Sequence, residues 1–331
     1  MTTKETALKT SGKPALPRAG DELDVAFTDL LANGQAVGRC DGVVVFCAGP
    51  LPGERARVAI ALVKPKYAVA ELRELLTQSP ERVTPFCPVF GECGGCQVQH
   101  LRYDAQLQWK REVLRGALER IGGFRGADVR ETIGMAVPRH YRNKMSLVAS
   151  QRDGATAFGF YRQRSHEVVP IEACPIVTEQ LSGYVGRLTS LAGDAGARGS
   201  AAEFANAFAE ARHVVARDAR ASGEAVVTVT TARESAAVLR SGAALMAALP
   251  GVAGVTNSFE LSSENAILGR KHRLAAGRAE IEESIGGVRY RVSAGSFFQV
   301  NVEIVGRIFE FLAPRLQVPR AIVDLYCGAG T

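Results

Sequence analysis

The chain has 331 residues, 47% of them hydrophobic, a net charge of +6 and a pI near 9.0, enough material for two or three separately packed domains. No apolar run is as long as a membrane span, and the opening MTTKETALKTSGKPALPRAG lacks the apolar stretch of a secretory signal, so the chain reads as cytoplasmic with no membrane partner. The cationic excess is concentrated: Leu101 to Arg164 holds thirteen Lys plus Arg against six Asp plus Glu, which points to a polyanionic partner such as RNA, although a solvated face has the same composition.

Residues 1–19, with Gly12, two prolines and scattered lysines, read as a disordered tail. From Asp24 the text turns β-rich. The runs Asp24 to Leu30, Val43 to Phe46, Arg55 to Val63 and Tyr67 to Leu75 are separated by turn signals at Asn33-Gly34, Asp41-Gly42 and Pro50 to Gly53. Several short strands within about sixty residues predict a small barrel over residues 20–79, a shape that either presents loops to nucleic acid or serves as a structural module.

The stretch CPVFGECGGCQVQH follows, Cys87 to His100, with three of the seven cysteines spaced C-x5-C-x2-C and glycines that let the backbone turn tightly. A fourth ligand is available in Cys174 of IEACPIV, because Cys40 and Cys47 lie in the β-rich segment and Cys327 in a motif of another kind. Four thiolates suit an iron–sulfur cluster or structural zinc. Only Cys93 to Cys96 forms a zinc-like C-x2-C knuckle, and the three-plus-one arrangement ending in Cys174-Pro175 leans toward a cubane cluster. With no secretory signal, a disulfide ranks below both metals, and buried free thiols fit Cys40 and Cys47 better than the loop.

Next comes the strongest helical pattern, with Leu107, Leu114, Leu118 and Ile121 as a core stripe, basic residues on other faces and Gly122-Gly123 as its stop. In PRHYRNKMSL, His140, Tyr141, Arg142, Asn143 and Lys144 interleave aromatic and cationic groups before an apolar strand, suited to stacking on an unpaired base and pairing with phosphate. Phe158 to Tyr161 and Arg162 to Arg164 read as a strand and its hairpin running toward Cys174. Residues 179–250 carry an α+β pattern without evident chemistry, and His213 and His272 read as structural. In AGSFFQVN, Gln299 and Asn301 have the donors and acceptors to read a base edge. The final residues, Ala321 to Tyr326 and then Cys-Gly-Ala-Gly-Thr, form a short apolar strand and a glycine-rich turn of the kind that opens a Rossmann-like unit.

Together these motifs resemble the iron–sulfur-containing RNA uracil-5-methyltransferases, which make 5-methyluridine in bacterial 23S ribosomal RNA and, in related members, tRNA. The likeness runs from about residue 20 to the end: a TRAM barrel with its Leu51 to Glu54 turn, the cysteine loop, YRNKM, the lone cysteine before proline, SFFQVN and DLYCGAG. It implies a multidomain α/β and α+β fold: a TRAM/OB-like barrel at 20–79, a central RNA-binding and Fe-S domain at 80–290 whose helix near 101–122 packs on the catalytic domain, and the start of a Rossmann-like methyltransferase domain at 291–331. It further implies that Cys87, Cys93, Cys96 and Cys174 hold a structural 4Fe-4S cluster, and that Gln299, Tyr326 and Thr331 contact S-adenosyl-L-methionine. Thr331 stands where the family often has asparagine.

The family reaction adds a cysteine thiolate to uracil C6, methylates the resulting enolate at C5 and removes the C5 proton with a base. Its nucleophilic cysteine and basic glutamate fall beyond Thr331 and Cys327 belongs to the cofactor strand, so no catalytic residue is assigned here. One strand and one turn cannot complete a doubly wound sheet. The expectation is the front portion of a longer enzyme, inactive alone, that binds RNA as a monomer, with ribosomal RNA preferred over tRNA. The alternatives are a noncatalytic Fe-S RNA-binding module and, further off, a radical methylthiolating enzyme, whose C-x3-C-x2-C loop differs from this one.

Overall fold

A computed structural model describes residues 16–152, 155–193 and 200–316. The expected tail up to residue 15, and the terminal strand with its glycine-rich turn, lie outside the described residues. Contacts divide the chain into two compact units, residues 1–86 with 96–132, and residues 87–95 with 133–331.

The first unit is built on five strands, β1 (Glu22–Leu30), β2 (Gln35–Cys40), β3 (Val43–Ala48), β4 (Arg55–Lys64) and β5 (Tyr67–Thr77), closed in the order β1-β2-β3-β5-β4. Closure removes the exposed edges that a small open sheet would leave. Alternate residues point inward, so Val25, Phe27, Val45, Cys47, Val58 and Ile60 fill the interior. Asp41 and Gly42 make the two-residue β2–β3 turn, both with positive φ (48° and 82°), as a hairpin turn of matching twist requires. Strand β2 carries no strand signal in the sequence. Its Gly38 and Arg39 interrupt the apolar pattern, and its place is fixed by the neighbouring strand β1: a Cβ on Gly38 would lie 2.4 Å from Val25 Cγ1 and 2.7 Å from the Ala26 carbonyl oxygen.

A buried carboxylate seals one turn of the barrel. Glu54, 1% exposed, accepts the Leu51 N–H at 2.8 Å and the Ser79 N–H at 3.1 Å. Arg82 donates to both of its oxygens, at 2.6 and 2.7 Å, and to the Gly49 carbonyl at 2.7 Å. Burial opposes the Glu54 charge, but these donors outweigh it and hold the carboxyl below its ordinary range.

Helix α1 (Tyr103–Arg120) belongs to the same unit, where Ala105 and Trp109 pack against the barrel core and Trp109 Nε1 donates to the Leu30 carbonyl at 3.0 Å. The expected core stripe is not core: Leu114 is 53% and Ile121 88% exposed, and the helix has no fully buried residue. At about 100° per residue, Leu114 lies roughly opposite Ala105, so the face that meets the barrel is the one with the small residue and the tryptophan.

The second unit comprises β6 (Lys144–Arg152), β7 (Ala155–Tyr161), β8 (Val168–Pro170), α2 (Glu179–Ala192), α3 (Ser200–Ala209), β9 (Ala211–Ala219), β10 (Glu224–Thr231), α4 (Ala236–Ala248), β11 (Val252–Phe259), β12 (Lys271–Gly277), β13 (Glu280–Ile285), β14 (Val288–Ser293) and α5 (Val302–Leu312). Seven strands form one sheet, in the order β12-β11-β10-β9-β6-β7-β8. Only β10 and β11 run parallel, because α4 makes the crossover between them. Met145 and Leu147 of β6 and Val214 and Ala216 of β9 pack with Leu181, Tyr184, Phe208 and Leu245 of the helices on one face. By strand alternation, Lys144, Ser146 and Val148 of β6 and His213, Val215 and Arg217 of β9 face the other side. There Ile281 and Ala294 cover Val215, Ala219 and Val226, and Val305 of α5 packs with Ile285, Val292 and Phe298. No helix among the described residues is long and apolar enough to cross a membrane.

Candidate functional site

The cysteine loop is tied to the second unit by its backbone. Cys93 N–H donates to Val89 O at 2.9 Å and Gly94 N–H to Tyr161 O at 2.9 Å, so the loop is strapped to the end of β7. Gly94 is required there, because a Cβ would sit 2.9 Å from the Tyr161 oxygen and 3.1 Å from the Gln163 backbone. Arg162, in the following turn, reaches Glu92 at 3.3 Å and Glu167 at 3.0 Å.

Cys87, Cys93 and Cys174 come within electrostatic reach of one another. Burial raises the Cys93 thiol, the Gly95 N–H to its sulfur (3.4 Å) partly offsets this, and ionised Cys174 and Cys87 raise it further. Burial likewise raises Cys174, against the N–H groups of Ile176 and Val177 that point at its sulfur. Cys96 stands three residues beyond Cys93, where the chain re-enters the first unit. All six described cysteines are free thiols, and among the described residues no group of three or more His, Cys, Asp or Glu is gathered closely enough to hold a metal ion. Cys40 and Cys47 stay in the barrel, where burial, with Glu71 adding, pushes Cys47 up to about 12.

The segment after Cys174 is zipped to the basic island. His140 N–H donates to Pro175 O (3.0 Å), Arg142 N–H to Ile176 O (2.9 Å) and Thr178 N–H to Arg142 O (3.0 Å). Arg220 holds the His140 carbonyl, while His140 Nδ1 lies 3.0 Å from Val177 O. One residue further on, Asn143 is 1% exposed and donates its N–H to Val300 O at 3.0 Å, which fixes the SFFQVN loop to the same strand. Arg217, opposite Lys144 on β9, donates to Ser296 O at 3.1 Å and lies 5.9 Å from the Phe298 ring centroid. Segments around residues 142, 176 and 298 thus meet at one joint.

The joint is electrostatically loaded. Burial, with Arg142 nearby and Asp218 in part compensating, lowers Arg217 to about 10; burial, Arg217 and Arg142 lower Lys144. Arg217 Nε and Nη1 and Asn143 Oδ1 are buried without hydrogen-bond partners among the described residues. Asp218 takes the Thr178 hydroxyl, and burial raises it to about 6. Three cations with so little counter-charge make this end of the sheet receptive to an anion.

Of the residues expected to contact S-adenosyl-L-methionine, Gln299 is exposed between buried Phe298 and anchored Val300, whereas Tyr326 and Thr331 lie outside the described residues. Asn301 is not available to read a base edge. Its Oδ1 caps α5 by accepting the Ile304 N–H at 3.1 Å, and its Nδ2 contacts Met135 Sδ at 3.1 Å. Two residues carry more than the sequence showed: Phe297, 74% exposed beside Gln299, and Arg217, whose strand pattern gives no sign of a buried cation.

Residues 18–72 match the TRAM domain family, in agreement with the closed five-stranded barrel. An uncharacterized RNA methyltransferase from Halalkalibacterium halodurans is 35% identical over 94% of this chain and 68% of its own length, and one from Bacillus cereus 33% identical over 93% and 68%. The crystal structure of the Pyrococcus abyssi tRNA (uracil-54, C5)-methyltransferase in complex with S-adenosyl-L-homocysteine superposes with a TM-score of 0.64 at 22% identity, covering 92% of this chain and 68% of that one, a likeness of fold. This chain belongs to the RNA methyltransferase family of those relatives, and it spans about two thirds of their length.

Proposed function

We propose that this RNA methyltransferase acts at uridine C5, with S-adenosyl-L-methionine as methyl donor and 23S ribosomal RNA as substrate. The observation that carries this reading is the joint itself: Asn143 and Arg217 hold the SFFQVN loop, so that exposed Gln299 and Phe297 project from a fixed turn beside Lys144 and Arg142. Gln299, with Tyr326 and Thr331, meets the methyl donor. Arg142 and Lys144 pair with RNA phosphates, and Phe297 offers a ring for an unstacked base. The target uridine leaves its stack to reach the donor. The nucleophile and base of the uracil-5 reaction correspond to no residue assigned in this sequence, so these groups bind and orient substrate rather than carry out the bond-making.

Cys87, Cys93, Cys96 and Cys174 are the residues that would hold a 4Fe-4S cluster. The Cys87 charge opposes ionisation of both Cys93 and Cys174, and backbone N–H groups already point at those two sulfurs, as suits thiolate ligands. When bound, the cluster supplies a structural cross-link, not redox chemistry. In this reading the protein is cytoplasmic and monomeric.

RNA tritiated at uridine C5 tests the chemistry with the protein as the cell makes it. Methyl transfer accompanied by an equal release of tritium to water is expected. Methyl incorporation without that release would place the methyl on another atom and reject the C5 assignment. The likeness of fold to a tRNA-modifying enzyme favours one second reading, tRNA as the substrate, and transfer to tRNA but not to 23S ribosomal RNA would establish it.

A further inference from the structure

Within the second unit, away from the joint, a cavity of about 310 Å³ opens beside the sheet where β6, β7 and β9 meet the loop before β12. Its walls include Ser146, Tyr161, His166, His213, Glu264 and Asn265. Tyr161 and His166 stand edge to face, ring centroids 5.4 Å apart at 85°, and His166 Nε2 lies 3.4 Å from Asn265 Oδ1. His213 is 6% exposed, and its Nδ1 has no hydrogen-bond partner among the described residues. A buried imidazole nitrogen without a partner is costly, and His213 is one of the residues that wall the cavity. Burial and neighbouring Arg212 hold His213 below the ordinary histidine range, so at physiological pH it is neutral and brings one donor and one acceptor.

From the sequence His213 reads as structural, yet the cavity lining combines aromatic faces with several polar groups, at the small end of ligand-site volumes. Its position along the strands adds a second constraint. Ser146 lies two residues along β6 from Lys144 on the same face, and His213 four residues along β9 from Arg217. Two residues of strand span roughly 7 Å, a reach that lets a phosphate on Lys144 and a base in the cavity belong to one short stretch of nucleic acid.

We propose that this cavity is a nucleobase subsite for single-stranded RNA, taking an unpaired base with an exocyclic amine and distinct from the site of the target uridine. An ionised Glu264 carboxylate accepts and cannot donate, so it suits the exocyclic amine of adenine, cytosine or guanine; uracil offers it only the N3–H, flanked by two carbonyls that the carboxylate repels. Tyr161 and His166 supply stacking, and Asn265, Ser146 and His213 meet the remaining ring edges. The subsite rests on the RNA methyltransferase reading and adds to it a choice of flanking nucleotide.

The test measures binding of single-stranded oligoadenosine and oligouridine over a range of salt concentrations, with ultraviolet crosslinks mapped by mass spectrometry. Wild-type protein is expected to bind oligoadenosine about tenfold more tightly, as one specific base contact allows, and to crosslink at Tyr161 or His166. Glu264→Gln and Asn265→Ala, both at exposed positions, should each abolish most of that preference while leaving the salt slope unchanged, since no phosphate contact is lost. Wild-type binding with no base preference and crosslinks confined to other residues would overturn the subsite and leave the RNA methyltransferase reading intact. Failure to bind either oligomer would overturn the subsite too, and would count against RNA as the partner.

Discussion

Glu54 and Arg82 pair at 2.6 Å beside His100, which is 2% exposed. Removing one partner of a buried ion pair strands the other, so Glu54→Ala should cost about 3 kcal/mol or more. Trp109, the sole tryptophan, packs on the barrel core and reports its unfolding directly. An unchanged urea midpoint followed by Trp109 fluorescence would show that the Glu54 network contributes nothing. His100 is held neutral: burial and the Arg82 charge lower it to about 4, against the opposing pull of Glu54 and a hydrogen bond with Gly49. Its unfolded value is about 6.5. Stability from this group is therefore complete above pH 6.5 and lost as pH falls toward 4, by roughly 3 kcal/mol at most. Below the ordinary carboxylate range Glu54 adds a further loss in the same direction, because its folded value is depressed. His100→Gln should flatten the dependence between pH 6.5 and 4.5, and an equally steep fall in that variant would assign it to other groups.

Helix α1 separates what periodicity reveals from what packing decides. Its leucine spacing announces a helix and does not say which face is covered. Ala105 and Trp109, an unremarkable pair in the sequence, meet the barrel, while Leu114 and Ile121 stay exposed. Leu114→Lys should leave the Trp109-reported stability within about 0.5 kcal/mol of wild type, and a loss of 2 kcal/mol or more would restore the leucine stripe as core. The β2–β3 turn is legible because Asp41-Gly42 has its own local chemistry, whereas β2 is not, since only Val25 and Ala26 of the paired strand β1 explain Gly38. The same division runs through the site. The motifs around Cys93, Arg142 and Gln299 could be read one at a time, but Asn143 as a buried tie, Asn301 as a helix cap and Arg217 as the anchor of the SFFQVN loop depend on residues more than seventy positions away or on a helix boundary. Gly94→Ala, which forces a Cβ against the Tyr161 carbonyl, should displace the cysteine loop and lower iron content after anaerobic reconstitution. Full iron and sulfide loading in that variant would show that the strap to β7 does not position the ligands.

At the scale of the whole molecule, a TRAM barrel and a mixed sheet with its basic joint combine in a chain of the RNA methyltransferase family. The proposed phosphate pairing by Arg142 and Lys144 predicts RNA affinity that falls steeply with salt, and a double Arg142→Gln, Lys144→Gln variant should reduce the log–log slope by about 2. Mass spectrometry of nucleosides from 23S ribosomal RNA and tRNA of cells with and without the gene tests uridine C5 methylation directly. 5-Methyluridine is expected to disappear from 23S ribosomal RNA in the deletion strain and to return when the gene is restored. An unchanged 5-methyluridine content in both RNA classes would contradict that expectation.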